Sequence, residues 1–347
     1  MSLERKRIAV VAAFCCAVVC GTAVNFLAKR AALTEPPIAL SGWRTLTAAL
    51  ILLFPMLMFH ISMRVSPSEI RFYLVYAFLT MGVPQALIFF GLRKLGVAET
   101  TVAFVEAAVL GIVVVYLLAS RKTISKGALI CTALTLIGMG IFLRIRPSAL
   151  AEQAGDICII AAAIATGVGL IISEKIEPRP DDTSFRGKCK RSTKKTFFAC
   201  VISGTGTLVV SAGFQYLIMH STKPLQIPAA ASWPWVVALA IVGSCLTWFS
   251  LFLLIEFGQL VLAAAVMAAA PVTTEIANYI WFTRTINTLW QWFGGASVLL
   301  SLVALIWLQL VMTREGNMGS AHSSSTRLME EAEEEEEEEE EEADVEA

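Results

Sequence analysis

Three ionisable side chains sit where charge is expensive. Arg44, Glu106 and Glu275 each fall inside a long apolar run. A charge at the centre of a bilayer costs at least ~2.5–3.5 kcal/mol on insertion scales, so such a group faces protein or a water-filled cavity. On helices rising ~1.5 Å per residue, Glu106 lies roughly 3 Å, Arg44 roughly 6 Å and Glu275 roughly 7 Å outward of its segment's midpoint, which places all three in one layer. Glu106 has small neighbours at helical spacing, Ala103, Ala107 and Gly111, which leave room for a ligand. It could bind a cationic or amine group, or carry a coupling proton. A fixed ion pair with Arg44 that only holds two spans together accounts for it equally well.

Ala268, Pro271, Glu275 and Asn278 recur at three- and four-residue steps and share one helix face. Pro271 cannot donate a hydrogen bond, frees the carbonyl of Met267 and bends its helix, so a hinge beside a polar wall is expected there, with a packed kink as the alternative. Asn25 and Gln85 are amides in the same outer layer, suited to cavity lining and equally to interhelical hydrogen bonding. Trp248 is placed to stack on a substrate or to pack. Trp281, Trp290 and Trp292 read as interfacial anchors.

Other chemistry is excluded by residue type. Seven of the eight cysteines lie in apolar runs and behave as small hydrophobes, while Cys189 lies in a basic segment. No pair has metal-ligand spacing, and His60, His220 and His322 are too scattered for a hydrolytic constellation. No phosphate-cradling glycine motif and no nucleic-acid signature occurs. An enzyme is not expected, nor a metal or cofactor.

The elements that must position these residues are membrane helices. The chain is 56% hydrophobic and 16% charged, and a span needs roughly 20 apolar residues. Ten runs qualify, at about 8–28, 38–59, 71–92, 98–118, 125–143, 156–173, 197–219, 235–255, 260–282 and 290–312. The first, after Arg5-Lys6-Arg7, is read as an uncleaved span. A tight turn is expected at Gly258-Gln259. Residues 72–125 align without a gap onto 234–287, pairing Gly96 with Gly258, Phe90 with Phe252 and Leu92 with Leu254. Five is an odd number, so a five-span unit written twice enters the bilayer from opposite sides, the inverted-repeat logic of secondary transporters. The pattern is asymmetric: Glu106 aligns with Ala268, and Pro271 and Glu275 align with Val109 and Val113.

Charge sets orientation. The first 329 residues hold 27 Lys/Arg and 14 Asp/Glu, and the last 18 hold 14 acids and no base. With the N-terminus inside, eighteen Lys/Arg fall on the inner side and eight on the outer, so both termini are expected to face the cytosol. The segment from Glu174 to Lys195 is read as an irregular hydrophilic loop, its cations set by orientation, with anionic-lipid contact as an alternative. The polyglutamate tail is expected to be disordered.

The stretches GTAVNFLAKRA (21–31), IALSGWRTLTAALILL (38–53), FFGLRKLGVAETTVAF (89–104) and AAAPVTTEIANYIWFTRTINTLWQWFGGASVLL (268–300) resemble, in order, the motifs of EamA-type proteins of the drug/metabolite transporter superfamily. Val109 stands where the family's first repeat commonly has a proline. The resemblance implies a small-molecule carrier with a central cavity between its repeats.

The expected fold is therefore an all-α integral membrane protein of ten helices in two inverted five-helix repeats, 1–146 and 154–313, followed by an acidic cytosolic tail, 314–347. The expected function is a carrier for a small polar metabolite or an organic cation or amino-acid-like solute, by alternating access with or without proton coupling. A nucleotide-sugar or phosphate-ester exchanger is the alternative, disfavoured by one arginine against two glutamates at mid-membrane. A non-transporting receptor or assembly factor on a transporter scaffold is the second alternative. Expected partners are the substrate and the bilayer, with no nucleic acid. Gly294-Gly295 is compatible with a homodimer and with packing inside the monomer. Plasma membrane and endomembranes are both compatible with the sequence.

Overall fold

The computed structural model describes residues 3–32, 37–84, 87, 99–120, 124–143, 154–175, 184–217, 225–280, 289–309 and 311. Ten helices and no strand occur among them: α1 (Leu3–Ala32), α2 (Pro37–Met58), α3 (Pro67–Ala77, continued as a π-turn Phe78–Gly82), α4 (Glu99–Ala119), α5 (Lys126–Leu143), α6 (Ala154–Lys175), α7 (Phe185–Leu217), α8 (Trp233–Leu239, π-turn Ala240–Leu246, then Thr247–Glu256), α9 (Leu260–Asn278) and α10 (Leu289–Gln309). Among the described residues, five segments are long and apolar enough to cross a membrane: Glu4–Val24, Ile38–Met58, Phe185–Gly213, Ala230–Glu256 and Leu289–Gln309. Shorter apolar helices occur within α4, α5, α6 and α9. Large apolar side chains point outward along the helices, among them Phe54 (71% exposed) and Val209 (65%). Such a surface is unsuited to water and suited to lipid.

Local chemistry sets the ends. Ser66 and Glu69 form a reciprocal capping box at the start of α3, with Pro67 at the first helical position. Gly258, at φ +74, makes the tight turn between α8 and α9.

The packing has a two-fold character. α2 packs on α7 and α4 on α9, while α1 packs on α8 and α9 and α6 packs on α3 and α4. The first helix of each set of five thus meets the third and fourth of the other set. Gly42 of α2 receives Leu208 of α7, and Gly204 of α7 receives Leu46 of α2. Gly42 and Gly204, and Leu46 and Leu208, stand 162 residues apart, the offset that aligns 72–125 with 234–287. The π-turns share it: one begins at Phe78, the other at Ala240. Gly21 of α1 lies against Ala270 of α9, and Gly167 of α6 against Ile112 of α4.

One sequence expectation changes, and one open alternative is narrowed. The segment before residue 197 is not irregular throughout: α7 begins at Phe185, so Lys188 to Lys195 are helical. The cause is local partners for the cations, described below. Gly294 is used inside the chain, since a Cβ there would lie 2.6 Å from the backbone nitrogen of Phe142 and 2.7 Å from the Gly138 carbonyl oxygen of α5.

A Cβ at Gly204 would sit 2.7 Å from the backbone nitrogen of Leu46, and backbone cannot move aside as a side chain can. Gly204→Ala is expected to destabilise by about 1–3 kcal/mol, as overpacked cores do. Gly206, two residues on and open within 4 Å, should accept alanine within about 0.5 kcal/mol. Thermal unfolding of the purified variants in detergent compares them.

Candidate functional site

α8 forms a column along which the polar and aromatic groups are strung. At its first turns Trp233 meets Trp43 of α2 edge-on at 5.8 Å, and Val236 and Leu239 pack with Leu40 in an apolar cluster. The indole Nε1 of Trp43 donates to the Gln226 carbonyl at 2.8 Å. This end is closed by apolar and aromatic packing.

The π-turn comes next. A π-turn gives its helix an extra residue locally and re-aims the side chains on either side of it. Gly243, within it, faces Val24 of α1 and Arg44 of α2: a Cβ there would lie 2.9 Å from Val24 Cγ2 and 3.8 Å from Arg44 Nη1. Arg44 is 1% exposed, so the guanidinium of α2 lies within the protein beside α1 and α8, as an intramembrane charge should. Ser41, Thr45, Ser203 and Ser244 are buried with it. Thr45 donates to the Ser41 and Gly42 carbonyls at 2.9 and 3.1 Å, and the Cys245 thiol donates to the Ala48 carbonyl at 3.6 Å.

Below the π-turn the rings stack. Trp248 is 4% exposed and lies 5.7 Å from Phe252. Phe252 meets Tyr76 of α3 edge-on at 5.4 Å, Tyr76 meets Tyr73, and Tyr73 meets Phe198 of α7. Trp248 is thus packed against protein rings in this conformation.

The column ends in ions. Glu256, at the last turn of α8, pairs with Lys195 and with Arg191 of α7, the latter at 2.8 Å. Lys188 donates to the Glu256 carbonyl at 2.8 Å and stands 4.6 Å over the Phe257 ring. The Tyr76 hydroxyl donates to the Lys195 carbonyl at 2.5 Å, and Lys195 Nζ reaches the Ser173 carbonyl of α6 at 3.5 Å. Cations at a helix C-terminus complement its dipole. The sequence reading missed Glu256. Its signal was the acid at the end of an apolar run, 61–68 residues after the cations it binds.

A second contact lies on α9. Thr22 and Thr273 hydroxyls meet at 2.5 Å, linking α1 to α9 two residues beyond Pro271. Thr273 and Thr274 also donate back to carbonyls of Ala269 and Ala270. Pro271 is buried within α9. α9, which carries Glu275 and Asn278, packs directly on α4, which carries Glu106, and on α1, which carries Asn25. Arg44's helix makes its main packing with α7 and α8. Gln85 and the side chains of Asn25, Glu106, Glu275 and Asn278 lie outside the described residues. Trp290 is exposed, and Trp292 meets Tyr279 edge-on at 5.1 Å; Trp281 is outside the described residues.

Lys195 and Glu256 have side chains only 4% and 7% exposed. Removing one member of such a pair strands the other in a dry site. Glu256→Gln is expected to destabilise by about 3–5 kcal/mol. Adding Lys195→Met to that variant should restore much of the loss, because the stranded charge goes with it. A double-mutant cycle on thermal stability measures both.

Comparison with known proteins follows from this geometry. The model of the EamA-like transporter family matches residues 7–144. No curated protein matches the chain by sequence. Among solved structures, 28 chains match. One, titled only "Crystal structure of protein", superposes with a TM-score of 0.66 at 13% identity, covering 86% of this chain and 96% of that one. At that identity the likeness speaks for the fold alone. Family match and fold agree with the apolar, all-helical architecture: residues 7–144 of this membrane protein are similar to the EamA-like transporter family.

Proposed function

We propose that the chain is a ten-span carrier whose two five-helix repeats, 1–146 and 154–313, are inverted with respect to each other. It moves a small polar metabolite, an organic cation or an amino-acid-like solute by alternating access. The observation that carries this reading is the shared 162-residue offset. It relates the two π-turns, the reciprocal glycine-leucine contacts of α2 and α7, and the sequence alignment of 72–125 with 234–287. Helices that exchange partners by a common rule can rock against each other as two bodies, which is what alternating access requires.

Both termini face the cytosol on this reading, in keeping with the excess of Lys/Arg that the alternation puts on that side. Substrate lies among α1, α4 and α9, whose mutual packing brings the helices of Asn25, Glu106, Glu275 and Asn278 together. Glu106 binds the substrate's cationic group or carries a coupling proton. Pro271 supplies the bend in α9, and Arg44, Gln85 and Trp248 belong to the surrounding wall. Carrying solute across a bilayer requires no chemistry on the solute, in keeping with a chain whose family members are transporters.

Flux of radiolabelled amines, amino acids, nucleosides and sugars into proteoliposomes tests the proposal. At least one class should accumulate in a saturable way, and Glu106→Gln should cut its initial rate at least about tenfold or abolish its dependence on pH. Absence of flux and binding across the whole panel would remove the carrier reading, and an unchanged rate and pH profile in Glu106→Gln would remove Glu106 from the mechanism.

A further inference from the structure

The second set of five helices carries a segment that the first lacks. From Gly21 to Gly42 the chain runs 21 residues, whereas from their packing counterparts, Gly167 to Gly204, it runs 37. Much of the added length becomes helix, because α7 starts at Phe185, nineteen residues before Gly204, while α2 starts at Pro37, five before Gly42. Charge divides this extension lengthwise. Lys188, Arg191 and Lys195, at steps of three and four, hold Glu256 and the end of α8. Arg186, Lys190 and Lys194, at steps of four, form a second stripe about a third of a turn away around the helix.

We propose that this second stripe, together with Arg64, is a docking surface for the headgroups of anionic phospholipids. Lys194 Nζ donates to the Arg64 carbonyl at 2.9 Å, so α7 and the α2–α3 connection are joined there and their cations form one patch. Among the described residues no carboxylate pairs with Arg64, Arg186, Lys190 or Lys194. Two acids on neighbouring elements are already engaged: Glu256 by the first stripe and Glu69 by the Ser66 amide.

Position argues for lipid rather than for a soluble anion. α7 is one unbroken helix from the stripe into an apolar span. Measured from residue 197, where the apolar run begins, Lys194 stands roughly 5 Å and Arg186 roughly 16 Å away at ~1.5 Å per residue. Lys194 therefore stands within the headgroup layer, about 5–8 Å deep on each side of the hydrocarbon, while Lys190, at roughly 10 Å, and Arg186 stand beyond its outer edge. Long cationic side chains reach into the layer from either edge. Four cations held on a fixed helix and an anchored loop meet phosphates already arrayed in a plane, and so lose little freedom on binding.

The test uses the full chain in neutral detergent micelles, titrated with phosphatidylserine or phosphatidylcholine and followed by thermal unfolding. Phosphatidylserine should raise Tm and phosphatidylcholine should not, and the effect should weaken as salt is raised toward about 0.15 M, where the Debye length is ~8 Å. R64Q/R186Q/K190Q/K194Q should lower the apparent affinity for phosphatidylserine at least about tenfold, and K190R/K194R should keep it. Equal responses to the two lipids would overturn the proposal. So would full phosphatidylserine preference in the four-site variant, or an equal shift from inorganic phosphate alone. Should the four-site variant fail to fold, the salt dependence and the arginine variant decide the matter.

Discussion

Two helix backbones can approach only as closely as their side chains allow, and in a bilayer that approach must itself supply the attraction. Lipid tails are as apolar as leucine, so burying leucine between helices gains little from leaving lipid. What remains is close contact. Gly204 brings α7 so near α2 that a single added carbon would lie 2.7 Å from the Leu46 nitrogen, and Gly42 provides the matching hole for Leu208. The rest of the bundle is arranged about this crossing. α3 and α8 flank it through Tyr76, Phe252 and the π-turns, and Arg44 lies two residues from Gly42. Glycine is weak in a helix interior by about 1 kcal/mol against alanine, and that local loss is offset by the dispersion contacts of the Leu208 side chain at Gly42 and of the Leu46 backbone at Gly204.

Reciprocity at the crossing sets off the places where it fails. α8 begins in apolar and aromatic packing and ends in an ion cluster. In sequence, the position 162 residues before Glu256 is Lys94, a charge of opposite sign. A cation there could not be held by the cations of a neighbouring helix. The extension of α7 and the acid at the end of α8 therefore belong together: each would be a liability alone, a bare basic helix or a buried carboxylate, and paired they tie α6, α7 and α8 at one end of the bundle.

Much of this was legible in residue order. Ten apolar runs become ten helices, and the turn at Gly258 is where glycine and the end of hydrophobicity put it. The gap-free alignment was readable because neither copy has an insertion between its third and fifth helices. It was not extended to Gly42 and Gly204, since two glycines in apolar runs carry no weight until their leucine partners are seen across the interface. The π-turns were invisible for a related reason: one extra residue in a helical turn leaves the apolar pattern nearly intact. The irregular reading of 174–195 failed because helix propensity was judged without partners. Lysine and arginine form helices well, and here Glu256 neutralises the charge that argued against one.

The site residues divide along the same line. Arg44 was identifiable because its cost in lipid is a property of the residue, whatever surrounds it, and the fold accordingly buries it beside Val24 and Gly243. Trp248 was ambiguous because an indole stacks equally well on a ligand or on a ring, and the contact with Phe252 shows only which ring it meets in this conformation. Glu256 was passed over because an acid at a helix end is cheap in water and common. Its importance comes from three cations one helix away, which no local rule connects to it. Residues that are costly by themselves announce a membrane protein's interior. Those that matter through distant partners emerge only when the helices are brought together.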